Sequence, residues 1–309
     1  MRSLLPRLLG LLLGTVMAFL PAAAGAAEDK IVVASKIDTE GALLGNMIVA
    51  LLEAHGLTVE NKLQLGPTNI VRAAILAGQI DIYPEYTGNG ALFFHVEQDP
   101  VWKDWAKGAA KVAALDREQN HLEWLAAAPA NNTWTIALRQ DLAERHNLKT
   151  MNDFAKYLAG GGAIKLAASA EFVESPAALP AFEATYGFQL KDAQLLTLSG
   201  GNTSATLRAA AEGTSGVNAA MAYGTDGALA ALGLTALEDD KGAQVVYAPV
   251  PVVREAVLEQ HPEIAKVLDP VFATLTLETL QQLNAKIAVE GEDAGAVAAA
   301  YLKSKHFLP

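Results

Sequence analysis

The sequence has 309 residues, of which 51% are hydrophobic and 18% charged, which is enough chain to bury two cores of ordinary domain size. Its 34 acidic residues exceed its 23 lysines and arginines, and the formal net charge of -11 argues against nucleic acid and anionic membrane surfaces as partners. The chain contains no cysteine, which excludes disulfides, thiolate metal sites and cysteine nucleophiles.

The N-terminus has the pattern of a secretory signal peptide. Arg2 and Arg7 accompany an apolar run at residues 8–20 that is too short for a comfortable membrane span, and small residues follow it. We therefore predict a cleaved signal peptide at residues 1–27 and a soluble mature protein in the periplasm. The alternative is an uncleaved membrane anchor.

Strand and helix patterns alternate from residue 31 onwards. Short apolar runs predict the strands, and apolar residues at helical spacing predict the helices between them. The predicted elements are a strand at 31–34, a helix at 41–55, a strand at 57–65, a helix at 69–77 and a strand at 80–83. This alternation predicts a mostly parallel sheet that is covered on both faces.

The alternation starts again in the middle of the chain and predicts a second α/β lobe. Its predicted strands are 135–138, 164–168, 194–198 and 217–223, and its predicted helices are 151–158, 179–186 and 205–212, with a loop at 171–176. Four amphipathic helices, at 252–260, 264–273, 277–289 and 294–303, complete the chain. No Pro- or Ser-rich linker separates the halves, so we expect short crossovers between the lobes.

Motifs for catalysis and for metal or cofactor binding are missing. The six histidines are scattered without metal-ligand spacing, and there is no nucleophile elbow, phosphate-binding loop or dinucleotide fingerprint. Ser35 and Lys36 are candidates for a nucleophile and its base, but adjacent residues of an extended segment point to opposite faces. We therefore predict that the protein is not an enzyme and needs no metal or cofactor.

A dense polar and aromatic segment follows the third predicted strand. Pro84 and Gly88 are predicted to fix a turn there, and the same segment presents Tyr86 and Asn89. Ligands of open α/β sheets bind outside the carboxyl ends of the strands, which makes this segment a candidate binding loop.

Three further aromatic residues stand in similar surroundings. Trp134 follows a run of polar residues where the second lobe begins, Tyr223 ends a predicted strand, and Tyr247 lies near the return crossover. A single tyrosine in such a place is usually a core residue, but four such aromatics are predicted to converge on a cleft. Ring faces bind trimethylammonium groups, which donate no ordinary hydrogen bond, through the ring quadrupole.

Four segments give the chain its resemblance to a known family. They are residues 33–36 (Val-Ala-Ser-Lys), 83–88 (Tyr-Pro-Glu-Tyr-Thr-Gly), 222–227 (Ala-Tyr-Gly-Thr-Asp-Gly) and 247–254. In type and order they resemble the osmoprotectant-binding proteins of ABC importers, which take glycine betaine, choline, carnitine and proline betaine. The resemblance covers essentially the whole mature sequence and is strongest to a low-affinity, osmotically inducible branch.

The resemblance implies specific site residues. The aromatic box falls on four positions, Tyr86, Trp134, Tyr223 and Tyr247. Lys36 and Asn89 match the groups that hold the ligand carboxylate, and Ser175 and Thr225 are further candidates. The better-known binders have an arginine where this chain has Ser175, which predicts weak betaine binding. The alternatives are an ordinary surface lysine at position 36 and turn-capping roles for Asn89 and Ser175.

The resemblance also implies the architecture and the function. We expect a type II periplasmic binding protein with two crossovers and a ligand in the cleft between its lobes. Lobe I is predicted at residues 28–133 and 247–309, and lobe II at residues 134–246. The protein would capture a quaternary-ammonium osmolyte, close, and deliver it to a permease and its ATPase, working as a monomer without a nucleic-acid partner.

A second hypothesis is a ligand without a quaternary amine, such as an amino acid or another small cation. Such a ligand would require an acidic anchor near the box, for which Glu85 and Asp226 are the candidates.

Overall fold

The computed structural model describes residues 30–198 and 203–308, so the predicted signal peptide lies outside the described residues. In the described part, ten strands, β1 to β10, are Lys30–Lys36, Thr58–Gly66, Ile82–Tyr86, Leu122–Trp124, Trp134–Arg139, Leu166–Ser169, Leu195–Leu198, Ala219–Tyr223, Leu234–Ala236 and Pro249–Arg254.

Within the same residues, fourteen α-helices, α1 to α14, are Thr39–Ala54, Thr68–Leu76, Asn89–Phe93, Trp105–Asn120, Gln140–His146, Met151–Ala159, Ala170–Glu174, Leu179–Tyr186, Thr203–Glu212, Ala228–Ala231, Glu255–Gln260, Glu263–Phe272, Leu277–Ala288 and Ala294–Ser304. Local chemistry explains several boundaries. The Asp38 carboxylate accepts a hydrogen bond from the backbone N–H of Gly41 and begins α1. Gly187, with φ of 73°, ends α8 in the left-handed conformation that glycine adopts without strain.

The strands form two five-stranded sheets with the same pattern of directions. The first has the order β2-β1-β3-β10-β4, and the second has the order β7-β6-β8-β5-β9. In the first sheet β1 is parallel to β2 and β3, whereas β10 is antiparallel to β3 and β4. In the second sheet β6 is parallel to β7 and β8, whereas β5 is antiparallel to β8 and β9. Each sheet is therefore mixed, with three adjacent strands paired in parallel and the other pairs antiparallel.

Both sheets are covered on two faces. In β1, Ile31 and Val33 pack into a core with α1 and the C-terminal helices, whereas Ala34 packs on the opposite side against Val71 and Ile75 of α2. Two further apolar clusters cover the faces of the second sheet. The alternation of side chains along each strand feeds both layers, as expected for an α/β protein.

The chain passes between the sheets twice, within residues 125–133 and 237–248. These two segments run side by side. The Thr133 hydroxyl donates to the Val245 carbonyl at 2.8 Å, and the backbone N–H of Tyr247 donates to Oδ1 of Asn131 at 2.8 Å. The predicted lobe boundaries at 133/134 and 246/247 fall inside these segments and stay predictions.

The predicted helix at residues 252–260 is wrong in its first three residues. Residues Pro249–Arg254 form β10, and the helix α11 begins only at Glu255. The two prolines of this strand argue against a strand in the sequence. Their carbonyls accept from Leu125 and Ala128, so their missing donors face that irregular segment and the pairing of β10 with β3 is intact.

The predicted turn at Pro84 is also wrong. Strand β3 runs from Ile82 to Tyr86, and Pro84 lies inside it, opposite Pro251 of β10. Strand β1 pairs with β3 only at Ile82, so the Pro84 nitrogen has no ladder partner to lose. The turn lies at Thr87 and Gly88, so Gly88 is part of it as predicted and Pro84 is not. Residues 171–174, predicted as part of a loop, belong to the short helix α7, because Ser169 caps its first turn.

Candidate functional site

Three of the four predicted box aromatics lie half-buried around the two crossings. Trp134 is the first residue of β5 and Tyr223 is the last residue of β8, and the two are direct partners in the antiparallel ladder. Tyr247 lies in the second crossing, two residues before β10. The fold thus brings Trp134 next to a residue from a distant part of the sequence, which is what the box prediction requires.

Trp134 and Tyr223 form one continuous aromatic surface. Their ring centroids are 6.4 Å apart with an interplanar angle of 21°, and Phe172 supports Trp134 from the side at 6.1 Å and 80°. A carbon atom needs about 3.5 to 4 Å from each surface it touches, so a trimethylammonium group does not fit between the two rings. A ligand would contact the faces and edges that these rings present outside their stack.

The ring of Tyr247 packs closely against Gly88. A Cβ atom at Gly88 would lie 2.8 Å from Cδ1 and Cε1 of Tyr247, so only glycine permits this contact. Burial raises the pKa of the Tyr247 hydroxyl, and Tyr223, Glu85 and Glu171 raise it further. The Tyr247 hydroxyl therefore lies within electrostatic range of Tyr223, Glu85 and Glu171.

Tyr86 has a different environment from the other three aromatics. Its side chain is buried, its hydroxyl donates to Oε1 of Glu40 at 2.9 Å, and the Lys36 ammonium lies 4.6 Å from its ring centroid. One ring face is thus already in contact with a cation of the protein itself. In this conformation Tyr86 is buried and Lys36 lies over its ring, whereas Trp134, Tyr223 and Tyr247 keep accessible surface.

The two predicted carboxylate-binding residues both bind Glu85. Lys36 forms a buried ion pair with Oε1 of Glu85, and Nδ2 of Asn89 donates to the same oxygen at 2.7 Å. The backbone N–H of Tyr86 donates to Oε1 as well, at 2.7 Å, and the Tyr83 hydroxyl donates to Oε2 at 3.2 Å. Glu85 is fully buried, so this carboxylate is satisfied entirely by protein donors.

A second buried carboxylate, Glu40 of α1, joins both lobes. It accepts from Tyr86, from Nδ2 of Asn132 at 3.2 Å and from Nδ2 of Asn284 at 2.7 Å. The Thr225 hydroxyl also acts on this carboxylate and lowers its pKa, and the Asn284 amide donates in addition to the Thr225 carbonyl at 3.0 Å. Burial raises the pKa of Glu40 to about 7, although these hydrogen bonds act in the opposite direction.

The remaining predicted residues have mainly local roles here. Ser175 ends α7, and its hydroxyl accepts a long hydrogen bond from the Ala177 N–H at 3.4 Å, as a turn-capping serine would. Asp226 accepts from the Tyr223 backbone at 2.7 Å and from the Thr203 hydroxyl at 3.0 Å. Burial raises the pKa of Asp226 to about 6.

One polar atom among the box residues has no partner in the described structure. The indole Nε1 of Trp134 is buried and makes no hydrogen bond to any of the described residues. The amide oxygens of Asn132 and Asn284 are likewise unpaired among the described side chains. Buried groups of this kind are normally satisfied, so each marks a place where a water, a ligand atom or a small shift completes the site.

An apolar cavity of about 230 Å³ lies beside α4, between Trp105 and Trp124. It touches Thr87 but contains none of the box aromatics, so it is separate from the site. Within residues 30–198 and 203–308, no cluster of three or more acidic or histidine side chains could hold a metal ion. The same residues include no helix long and apolar enough to cross a membrane.

Sequence reasoning overlooked Glu40, Asn132 and Asn284. A glutamate in the first turn of a helix is expected to interact favourably with the helix dipole, so its presence there needs no further explanation. The available signal was the strongly apolar character of the helix around it, since ten other residues of α1 are buried with Glu40.

Two mixed sheets with matching strand order, joined by two short crossings with aromatics beside them, define a two-lobed type II binding protein. The comparisons with known proteins agree. The chain belongs to the family described as the substrate binding domain of ABC-type glycine betaine transport systems, whose model matches residues 29–304. The prediction of a binding protein rather than an enzyme is thereby confirmed.

Individual relatives support this assignment. The chain is 61% identical over 279 residues to the glycine betaine-binding protein YehZ of Escherichia coli, covering 90% of this chain and 92% of that protein. It is 31% identical over 294 residues to the glycine-betaine-binding protein of Pseudomonas aeruginosa, covering 93% and 91%. The structure of apo YehZ superposes with a TM-score of 0.83 over 90% of this chain and 99% of that chain.

Proposed function

We propose that this chain captures a small quaternary-ammonium osmolyte, such as glycine betaine, between its lobes and delivers it to the permease and ATPase of an ABC importer. The observation that carries the proposal is the convergence of three half-buried rings, Trp134, Tyr223 and Tyr247, beside the two crossings. The relatives named for glycine betaine binding support the choice of ligand.

The electrostatics of the site favour a cationic head group. Glu171, an exposed residue of α7, raises the pKa of both Tyr223 and Tyr247, so its negative charge acts at both rings. Asp38, an exposed residue of the other lobe, acts on Tyr223 in the same direction. A trimethylammonium group between these carboxylates gains Coulomb attraction in addition to contact with the ring faces.

The carboxylate of a betaine would point toward the end of the site formed by Lys36 and Asn89, and Thr225 and Ser175 stay candidates for additional neutral contacts. A neutral donor contributes less than the charge-assisted pair that an arginine at position 175 would form, so we propose weak betaine binding.

The alternative ligand, an amino acid with a primary ammonium group, needs a carboxylate free to accept its N–H donors. Both candidate anchors are engaged. Glu85 accepts from Lys36 and Asn89, and Asp226 accepts from its own loop and from Thr203. These internal hydrogen bonds favour a quaternary ligand, which donates none.

Substrate-binding proteins of ABC importers of this kind work in the periplasm. We propose the same location for this chain, reached by cleavage of residues 1–27, and we propose that it acts as a monomer. The two arginines and the apolar run of those residues are the basis for the cleavage.

A neutral isostere tests whether the site recognises the positive charge. Choline and 3,3-dimethylbutan-1-ol have nearly the same shape, but the second has carbon in place of nitrogen. Calorimetric titration should show binding of glycine betaine and choline, and binding of the neutral alcohol weaker by about ten-fold or more, because cation-π attraction is lost. Equal binding of the isostere would exclude a cation site.

Replacing Trp134 by alanine tests the box directly. Loss of one aromatic wall should weaken betaine and choline by about 1 to 2 kcal/mol, or roughly ten-fold. Trp105→Ala is the matched control, because Trp105 is an exposed tryptophan of α4 outside the box. Unchanged titrations in a folded Trp134→Ala protein would remove this residue from the site.

A further inference from the structure

A carboxylate of the protein already occupies the place expected for the ligand's carboxylate. Oε1 of Glu85 receives the Lys36 ammonium, the Asn89 amide and the backbone N–H of Tyr86. These donors include both residues predicted to hold a betaine tail. The arrangement is that of a bound carboxylate, with the side chain of Glu85 as its source.

The pair leaves little access for a second carboxylate. Lys36 is 5% exposed and Glu85 is 0% exposed, and the remaining environment of the ammonium includes the face of Tyr86. A ligand carboxylate that approached Lys36 would meet the like charge of Glu85 and would have to share its donors. At the short distances of a buried site, that repulsion is weakly screened.

We propose that Glu85 competes with the ligand's carboxylate for Lys36 and Asn89 and so determines how the site discriminates between betaines and cations without a carboxylate. This inference rests on the proposed function. As a result, Glu85 neutralises the charge of Lys36 within the protein. The carboxylate of a betaine then adds little to its affinity, and choline binds nearly as well.

The field of Glu85 also reaches the aromatic part of the site, since it raises the pKa of the Tyr247 hydroxyl. The same negative charge that blocks a ligand carboxylate therefore attracts the trimethylammonium head. Repulsion of the carboxylate disfavours a zwitterion relative to a simple cation, whereas attraction of the head group favours both ligands.

Glu85→Gln tests the proposal, with the ratio of betaine to choline affinity as the readout. The amide keeps the size of the side chain but frees the charge of Lys36, which then attracts a carboxylate and repels a cation. We expect the ratio to rise by about ten-fold or more. A purely structural role for Glu85 would weaken both ligands alike and leave the ratio unchanged, which would overturn the proposal.

The double variant Lys36→Met/Glu85→Gln is the matched control. It replaces the whole buried ion pair by neutral groups of similar size, a change that proteins often tolerate better than removal of one partner. Since the rise depends on a freed Lys36, the ratio should return to within about three-fold of the wild-type value. Melting curves establish that each variant is folded before titration.

The double variant also decides the matter if Glu85→Gln alone does not fold. A near wild-type ratio shows that Lys36 serves Glu85 in the native protein, whereas a fall of about ten-fold shows that Lys36 binds the ligand tail and overturns the proposal. Failure of the wild-type protein to bind either ligand would instead contradict the proposed function, and this inference with it.

Discussion

Glu40 shows how strongly a single buried residue can couple ionisation to stability. Its carboxylate is fully enclosed by donors from both lobes, and burial raises its pKa from 4.5 to about 7. Asp38, the residue that caps the start of α1, adds a like charge that acts in the same direction. The folded protein therefore holds a proton on Glu40 at pH values where the unfolded chain has lost it.

The sign of the resulting pH dependence follows from linkage. The stability contributed by this proton is complete below about pH 4.5 and is lost as the pH rises toward about 7. In Glu40→Gln no proton is exchanged at this position, so the free energy of unfolding should fall less between about pH 5 and pH 8 than in the wild type. The difference is at most about 3 kcal/mol for a shift of this size.

Urea unfolding at the two pH values measures this effect. Glu53→Gln, which changes an exposed carboxylate on the same helix, serves as the control and should follow the wild type. Identical pH dependence in the Glu40 and Glu53 variants would show that Glu40 is ionised normally in the folded protein.

At the scale of elements, α13 packs on the segment that follows β8 in the other sheet. The Gln281 amide donates to the Gly224 carbonyl at 2.7 Å, and the Asn284 amide donates to the Thr225 carbonyl at 3.0 Å. At Gly227 a Cβ atom would lie 2.0 Å from the backbone nitrogen of Ala285. Backbone meets backbone here, so a side chain has no room.

Gly227→Ala should therefore move this segment away from α13. We expect a loss of about 1 to 3 kcal/mol in the free energy of unfolding, as for overpacking elsewhere. Tyr223, the last residue of β8, directly precedes this segment, so ligand affinity should fall as well. Gly160→Ala is the control, because a Cβ there would make only ordinary contacts at 3.5 Å. Denaturant unfolding that did not distinguish the two variants would contradict the tight contact.

Strand β10 illustrates why element prediction failed locally. Its Val-Val-Arg end precedes a real helix, and its two prolines disfavour a strand in any context that needs their N–H groups. Only the position of β10 beside the irregular segment after β4 makes those missing donors harmless. Sequence pattern does not contain that neighbour, because the two segments are about 125 residues apart.

For the molecule as a whole, export with processing is the remaining prediction. Residues 1–27 have the charge and apolar length of a signal peptide. Intact mass of the protein from a periplasmic fraction should correspond to a chain that begins near Glu28. A variant with Arg2 and Arg7 changed to glutamate should accumulate unprocessed. Periplasmic protein with the mass of the full chain would contradict cleavage.

The sequence by itself determined the two-lobed α/β class and the approximate positions of most helices and parallel strands. It also gave the four aromatics as candidates for the box. These depend on short-range periodicity and on residue types whose chemistry is independent of neighbours. It also supported the family assignment, since the motif segments occur in the expected order.

Only the tertiary structure decided which polar groups face a ligand and which are paired internally. Lys36 and Glu85 are 49 residues apart, and Glu40 and Asn284 are 244 apart, so nothing local indicates that they meet. Whether a charged side chain binds a ligand or pairs within the protein depends on its burial and on its nearest counter-charge. Those two quantities arise when the sheets and crossings come together, which is why Lys36, Asn89 and Tyr86 could be located from the sequence, but their partners could not.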